Sequence, residues 1–292
     1  MGDRSILCMT MVGSALLFHA AAEFAAQTEW DIPFRLEGHL IVVEASVGNA
    51  SGLRFMIDTA ATCTYVDKKV IKALGLKQEP GEYRFLAYGQ LTKANRFRIP
   101  MLRIGPVFAT LDCLEANLAG RGVDGILGLD LLRQQAPLAS YQTKMVIKKR
   151  SLTIDFKARK LSFGLEQQLE HTVPLEAPNA QIIVAPIIDG HPLRFAVDTG
   201  VNVTILFKES QTRGLEPMMA QEGTGFSHSD SISRRKDVLL PGIRLGDSRW
   251  SDLAAIVVNL PDEPTDGVLS VYQLGLKILH FDFDSNLMSW NK

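Results

Sequence analysis

Short apolar runs broken by glycine, proline and polar turns set the pattern of this chain. Leu40–Val47 and Ile182–Ile188 are rich in valine and isoleucine, and each ends in a turn signal, Gly48-Asn49 and Asp189-Gly190. A second apolar stretch follows each turn, so the pattern predicts two β-hairpins. Two later strands also end in glycine, Leu102-Arg103-Ile104-Gly105 and Ile243-Arg244-Leu245-Gly246. Helical spacing is rare. It predicts one helix over Asp67–Leu74, with Asp67 as N-cap, Val70, Ile71 and Leu74 on one face, and Gly75 as stop. A shorter counterpart is expected over Lys208–Arg213, before Gly214. The middle of each half is polar: Glu79-Pro80-Gly81 leads into Tyr83–Tyr88, a Gly89 turn and Leu91–Ile99. In the second half, Gly223-Thr224-Gly225 opens a serine-rich stretch before Val238-Leu239-Leu240. The fold class expected from this is all-β with a few short helices.

The pattern occurs twice. Leu53-Arg54-Phe55-Met56-Ile57-Asp58-Thr59-Ala60 is matched by Leu193-Arg194-Phe195-Ala196-Val197-Asp198-Thr199-Gly200, an offset of 140 residues. Val123-Asp124-Gly125-Ile126-Leu127-Gly128 is matched by Thr265-Asp266-Gly267-Val268-Leu269-Ser270 at an offset of 142. Ile154-Asp155-Phe156 with Leu161-Ser162-Phe163, and Phe281-Asp282-Phe283 with Met288-Ser289-Trp290, close the halves at an offset of 127. The shorter last offset assigns extra residues to the first half, and Gln134–Arg150 is where they are expected. Three landmarks in one order indicate a tandem duplication. The expected organisation is a signal peptide over 1–26, a first lobe over 27–164, a linker over 165–179 that holds Pro174 and Pro178, and a second lobe over 180–292.

Composition narrows the partners. The 292 residues are 46% hydrophobic with a formal net charge of -1, which offers no basic face for nucleic acid. Arg4, the apolar run Ile6–Phe18 and Ala20-Ala21-Ala22 read as an export signal, with His19 and Glu23 interrupting the run before it reaches membrane-spanning length. A periplasmic or secreted protein with no stable membrane span is expected; an uncleaved anchor is the alternative. Removing the signal takes away Cys8 and leaves Cys63 and Cys113, whose spacing alone leaves a bridge open.

The repeated motif carries the chemistry. An apolar strand that ends in Asp-Thr and a very small residue buries a carboxylate at a sharp turn, which is costly for one acid alone. Two such acids at matching positions, Asp58 and Asp198, are candidates to meet each other. The motifs, with the segment Gly125-Ile126-Leu127-Gly128-Leu129-Asp130-Leu131-Leu132, resemble the retropepsin-like aspartic proteases. Two copies in one chain are similar to the bilobal, pseudo-twofold pepsin arrangement of two β-barrel lobes. The resemblance implies an aspartic endopeptidase with Asp58 and Asp198 as catalytic dyad, acting on a peptide or protein substrate as a monomer without metal or cofactor. It implies that Thr59 and Thr199 hydrogen-bond across the interface and that Gly200 gives backbone N–H groups access to the carboxylates. It also implies a flap around Tyr88 and Gly89. Ala60 and Ser270 depart from the commoner glycines, Ser270 in a way expected to crowd the packing behind the Asp198 loop.

Other chemistries lack their signatures. The six histidines, His19, His39, His171, His191, His228 and His280, show no ligand spacing for zinc and are read as turn and surface residues. There is no Gly-x-Ser-x-Gly elbow, and Gly223-Thr224-Gly225 lacks the third glycine of a dinucleotide loop. The competing reading is a non-catalytic peptide- or protein-binding module on the same fold.

Overall fold

A computed structural model describes residues 30–81, 83–87, 90–133, 138–140, 146–176, 181–208, 236–260 and 263–292. The expected signal segment, the tip of the expected flap at Tyr88 and Gly89, and the helix expected over Lys208–Arg213 beyond its first residue lie outside them. Within them strands dominate, joined by three short helices, Lys68–Leu74, Leu129–Leu132 and Val271–Leu274. None of these helices is long and apolar enough to cross a membrane. Lys68–Leu74 begins and stops as the sequence suggests. The Asp67 carboxylate accepts from Lys69 N at 2.8 Å, and Gly75 takes a left-handed φ of 58° at the C-cap.

The first hairpin pairs Leu40–Val47 with Ala50–Ile57 in antiparallel register. Both of its faces are covered, which explains the continuous apolar run. Val43, Phe55 and Ile57 enter the main core, while Val42 and Met56 join Ile126, Leu118 and Val123 in a smaller cluster on the other face. The second half differs here. Its expected hairpin is split at Pro186, which has no N–H to give to a ladder. Ile183–Val184 pairs with Phe195–Asp198, whereas Ile187–Ile188 turns away to pair with His191–Pro192 and Ile243–Leu245. The Pro186 carbonyl accepts from Leu193 N at 2.9 Å across the changeover.

Each Asp-Thr strand then acquires a parallel neighbour from its own second landmark. Gly125–Leu127 lies parallel to Ala50–Ile57 and antiparallel to Tyr65–Asp67; Gly267–Ser270 lies likewise between Phe195–Asp198 and Thr204–Leu206. The glycines are required by space. A Cβ on Gly125 would lie 2.1 Å from the Phe55 ring, and one on Gly267 would lie 2.1 Å from the Ile205 carbonyl and 2.7 Å from the Phe195 ring. The aspartate before each glycine holds the strand that enters the turn. Arg54 N donates to the Asp124 carboxylate at 2.9 Å and Asp124 N to Arg54 O at 2.7 Å; Arg194 and Asp266 repeat both bonds at 2.8 and 2.7 Å.

The third landmarks join the halves. The hairpins Ser151–Asp155/Lys160–Phe163 and Ile278–Asp282/Leu287–Asn291 pair with each other along Ser151–Asp155 and Ile278–Asp282, extending a sheet that also carries Asp31–Glu37. The stretch 165–179 is more than a linker, because His171–Pro174 is a strand on the edge of this sheet, paired with Leu287–Asn291. At the centre, Thr153 faces His280, equivalent residues of the two repeats, with Thr153 Oγ1 and His280 Nδ1 2.9 Å apart. His280 is therefore a buried interface residue and not the surface histidine expected from sequence.

Burial holds His280 neutral, with its pKa lowered to about 4. An unfolded chain binds this proton near pH 6.5 and the folded chain does not, so acid favours unfolding between those values. Stability should fall as pH drops from about 6.5 to about 4. His280→Gln should flatten that part of a plot of Tm against pH, measured by calorimetry.

Candidate active site

The two Asp-Thr turns meet in the middle of the molecule. Thr59 and Thr199, both fully or almost fully buried, are interlocked by four hydrogen bonds. Thr59 N donates to Thr199 Oγ1 and Thr199 N to Thr59 Oγ1, each at 3.2 Å. The two hydroxyls donate onward to carbonyls of the opposite strand, Thr59 Oγ1 to Val197 O at 2.7 Å and Thr199 Oγ1 to Ile57 O at 2.8 Å. Every donor of the two threonines is used, and each bond crosses from one repeat to the other. Neither turn can shift without leaving buried polar groups unpaired, which costs about 1–3 kcal/mol per group.

This interlock brings the side chains of Asp58 and Asp198 within hydrogen-bonding reach of each other. The Asp58 carboxylate accepts from Ala60 N and Ala61 N, both at 2.9 Å, and Asp198 accepts from Gly200 N at 2.5 Å. Burial raises the pKa of both acids; for Asp198 the neighbouring Asp58 charge adds to it and carries the shift well above the usual carboxylate range. Asp58 is better supported as an anion because two backbone N–H groups point at it, against one at Asp198. The two acids therefore titrate as a pair, and a proton on the site is shared between them.

The small residues beside the acids are not equivalent. A Cβ on Gly200 would lie 3.0 Å from Asp58 Oδ2 and 3.0 Å from the Met56 methyl group, so glycine is needed for close approach and not for a left-handed φ. Ala60 also keeps an ordinary φ, which is why its methyl group is tolerated. Ser270 does not crowd its loop as expected: it is fully buried, and its hydroxyl donates to Val201 O at 2.8 Å. The first half solves the same place differently. A Cβ on Gly128 would collide with Cys63 O at 2.3 Å, and Leu129 N takes the Ala61 carbonyl at 2.8 Å.

Behind the turns lies a layer that the motif did not point to. Thr64 N and Oγ1 donate to the Asp130 carboxylate at 2.9 and 2.8 Å, and Thr204 N and Oγ1 donate to Gln273 Oε1 at 2.7 and 2.8 Å. Thr64 and Thr204 are separated by the same 140 residues as Asp58 and Asp198, so that offset carried past the motif would have found them. His39 also belongs near the site. It is half-buried, with its ring turned toward the Gly200 carbonyl and edge-on to Tyr272 at 6.1 Å between centroids, and burial lowers its pKa. Cys63 and Cys113 are free thiols that line one cavity of about 310 Å³ together with Asp130. Burial raises both, Cys113 to about 12, so neither is an activated nucleophile. Among the described residues no cluster of three or more metal-ligating side chains occurs.

Residues 43–131, which include Asp58 and the Gly125–Gly128 landmark, match a family model described as Aspartyl protease. No curated protein matches the sequence. Among solved structures, the aspartic proteinase from Irpex lacteus is similar at a TM-score of 0.55 and 13% identity, covering 90% of this chain and 96% of that one. The chain thus has the all-β, bilobal aspartic proteinase fold, and its first half carries the sequence signature of aspartyl proteases.

The space around the turns makes an asymmetric prediction. Gly200→Ala should push Asp58 out of place and lower stability by about 1–3 kcal/mol, the usual cost of overpacking. Ala60→Gly removes a methyl group with room of its own and should change stability by no more than about 1 kcal/mol. Urea unfolding of the two variants beside the parent checks the difference.

Proposed function

We propose that this protein is an aspartic endopeptidase in which Asp58 and Asp198 together activate a water molecule. The observation that carries the reading is the reciprocal Thr59–Thr199 interlock, which holds two buried carboxylates of raised pKa against each other. A pair with one proton supplies a base and an acid at once. The ionised carboxylate takes a proton from water held between the two acids, and the water oxygen attacks the scissile carbonyl carbon. The other carboxyl gives its proton to the carbonyl oxygen. The resulting gem-diol collapses as one of its hydroxyls gives a proton to the ionised carboxylate and the leaving nitrogen takes the proton of the other carboxyl; the C–N bond breaks and the dyad again holds one proton. Nothing in this sequence calls for a metal or cofactor.

The flanks of the dyad favour apolar side chains in the substrate. Ala61 and Tyr65 pack on the cluster of Val42, Met56 and Ile126 in the first half; Val201 and Ile205 occupy the equivalent positions in the second, with Ala196 and Val268. The hairpin Tyr83–Ala87/Gln90–Ala94 is in the right place in the chain to act as a flap, with Tyr88 and Gly89 at its tip. Export through residues 1–26 and action as a single chain complete the reading.

Cleavage of a mixed peptide library by the chain lacking residues 1–26, followed by mass spectrometry across pH 3 to 8, tests it. Activity should follow a bell-shaped profile, and Asp58→Asn and Asp198→Asn should each lower kcat by at least about a thousandfold. A folded parent that cleaves nothing but binds peptides would establish the binding-module reading instead. Activity surviving both substitutions would refute the dyad.

A further inference from the structure

The layer behind the turns differs between the repeats in one chemical respect. In the first half the turn Asp58–Thr64 is held at three points. Asp58 N donates to Leu127 O at 3.1 Å, Leu129 N donates to Ala61 O at 2.8 Å, and Thr64 is clamped to Asp130. Thr64 Oγ1 in turn accepts from Gly128 N at 3.4 Å. In the second half Ser270 N donates to Thr204 Oγ1 at 3.3 Å, and Thr204 is clamped to Gln273. In both clamps a threonine N–H and hydroxyl are directed at one side chain from the short helix after the second landmark, at the two carboxylate oxygens of Asp130 and at the single amide oxygen of Gln273. One clamp is a carboxylate and the other an amide.

We propose that Asp130 and Gln273 are paired positioning residues for the two catalytic turns, and that only the Asp130 clamp is released by acid. This rests on the peptidase reading above for its effect on catalysis, though not for its effect on the turns. The Gln273 amide donates from Nε2 to Ala254 O at 2.8 Å while its oxygen accepts both Thr204 donors, so its oxygen is filled and none of these bonds depends on pH. Asp130 accepts three bonds, from Thr64 N, Thr64 Oγ1 and Leu131 N. Two of these donors are backbone N–H groups that cannot turn away. Thr64 N points at Oδ2, and Thr64 Oγ1 and Leu131 N at Oδ1, so a proton on either oxygen removes the negative charge and turns an accepting oxygen into a hydroxyl, which weakens the clamp.

The surroundings place this protonation above the usual carboxylate range. Burial raises the Asp130 pKa against the bonds that lower it. The ionisable groups that share its cavity are Cys63 on the turn, Cys113 and Asp112 on one strand, Arg96 and Arg98 on the next, and Tyr83. The thiols are neutral, with pKa values raised by burial. Arg98 is committed to Asp112 at 2.7 Å, and Arg96 approaches Asp112 at 3.9 Å, so the arginine charge is directed at that acid and away from Asp130.

Asp130→Asn removes the titration while keeping one amide oxygen for the clamp, and Asp130→Ala removes the clamp. The first readout is amide hydrogen exchange of the full chain across pH 4 to 7, expressed as protection factors for residues 58–64 and 198–204. In the parent, protection at 58–64 should drop about tenfold in acid relative to 198–204; in Asp130→Asn the two turns should keep a constant ratio. The second readout is the pH profile of peptide cleavage. Asp130→Ala should lower kcat about tenfold with KM within about twofold, while Asp130→Asn should stay within about threefold of the parent and move the acid limb to lower pH. Turns that lose protection together in the parent, or an Asp130→Asn acid limb and turn ratio unchanged from the parent, would overturn the proposal. Exchange needs no turnover, so an inactive parent with acid-released 58–64 would refute the peptidase reading alone.

Discussion

Two carboxyl groups cannot share a buried site unless one proton is left between them, and the rest of this structure serves that constraint. Alone, either acid would favour solvent or demand a cation. Together, and only at one separation, they satisfy each other at neutral pH. The separation is imposed by Thr59 and Thr199, whose four bonds run between the repeats and leave no donor spare. Everything outside that interlock either holds the two strands that lead into it or keeps space clear beside it.

The strands are held by a device used twice. Each Asp-Thr strand lies beside a strand from its own second landmark, and that strand is threaded between the arm entering the turn and the arm leaving it. Such threading brings a backbone against an aromatic ring, which is why Gly125 faces Phe55 and Gly267 faces Phe195. Residues within each landmark thus have separate jobs: the aspartates Asp124 and Asp266 fix the strand into the turn, the glycines admit it, and Gly128 or Ser270 braces its far end. The sheet through Thr153 and His280 sets how the two units face each other, well away from the acids.

Much of this was legible in the sequence because it depends on local spacing. The paired motifs, the Asp67–Gly75 helix limits and the glycine landmarks each follow from a residue type that only one local geometry accommodates. What was not legible depends on long-range partners. Pro186 splits an apolar run that looked continuous, because the two parts of the run pair with different strands. His171–Pro174 reads as linker until Leu287–Asn291 is there to pair with it. Ser270 looked too large for its place, yet the free carbonyl of Val201 accepts its hydroxyl. His280 has no sequence signal of burial at all, since nothing nearby in the chain announces Thr153, 127 residues away.

The two Asp-Thr turns share one architecture, but their surroundings differ. Identical acids in identical surroundings would have no reason to ionise differently. Here two backbone N–H groups support Asp58 and one supports Asp198, and the Asp58 charge raises the pKa of its neighbour further. The methyl group of Ala60 and the bare Cα of Gly200 add a difference in space, since a Cβ on Gly200 would lie 3.0 Å from the Asp58 carboxylate. An interlock that is symmetric in its bonds therefore frames a pair that is unsymmetric in its electrostatics, the condition under which the peptidase proposed above would draw a base and an acid from one site.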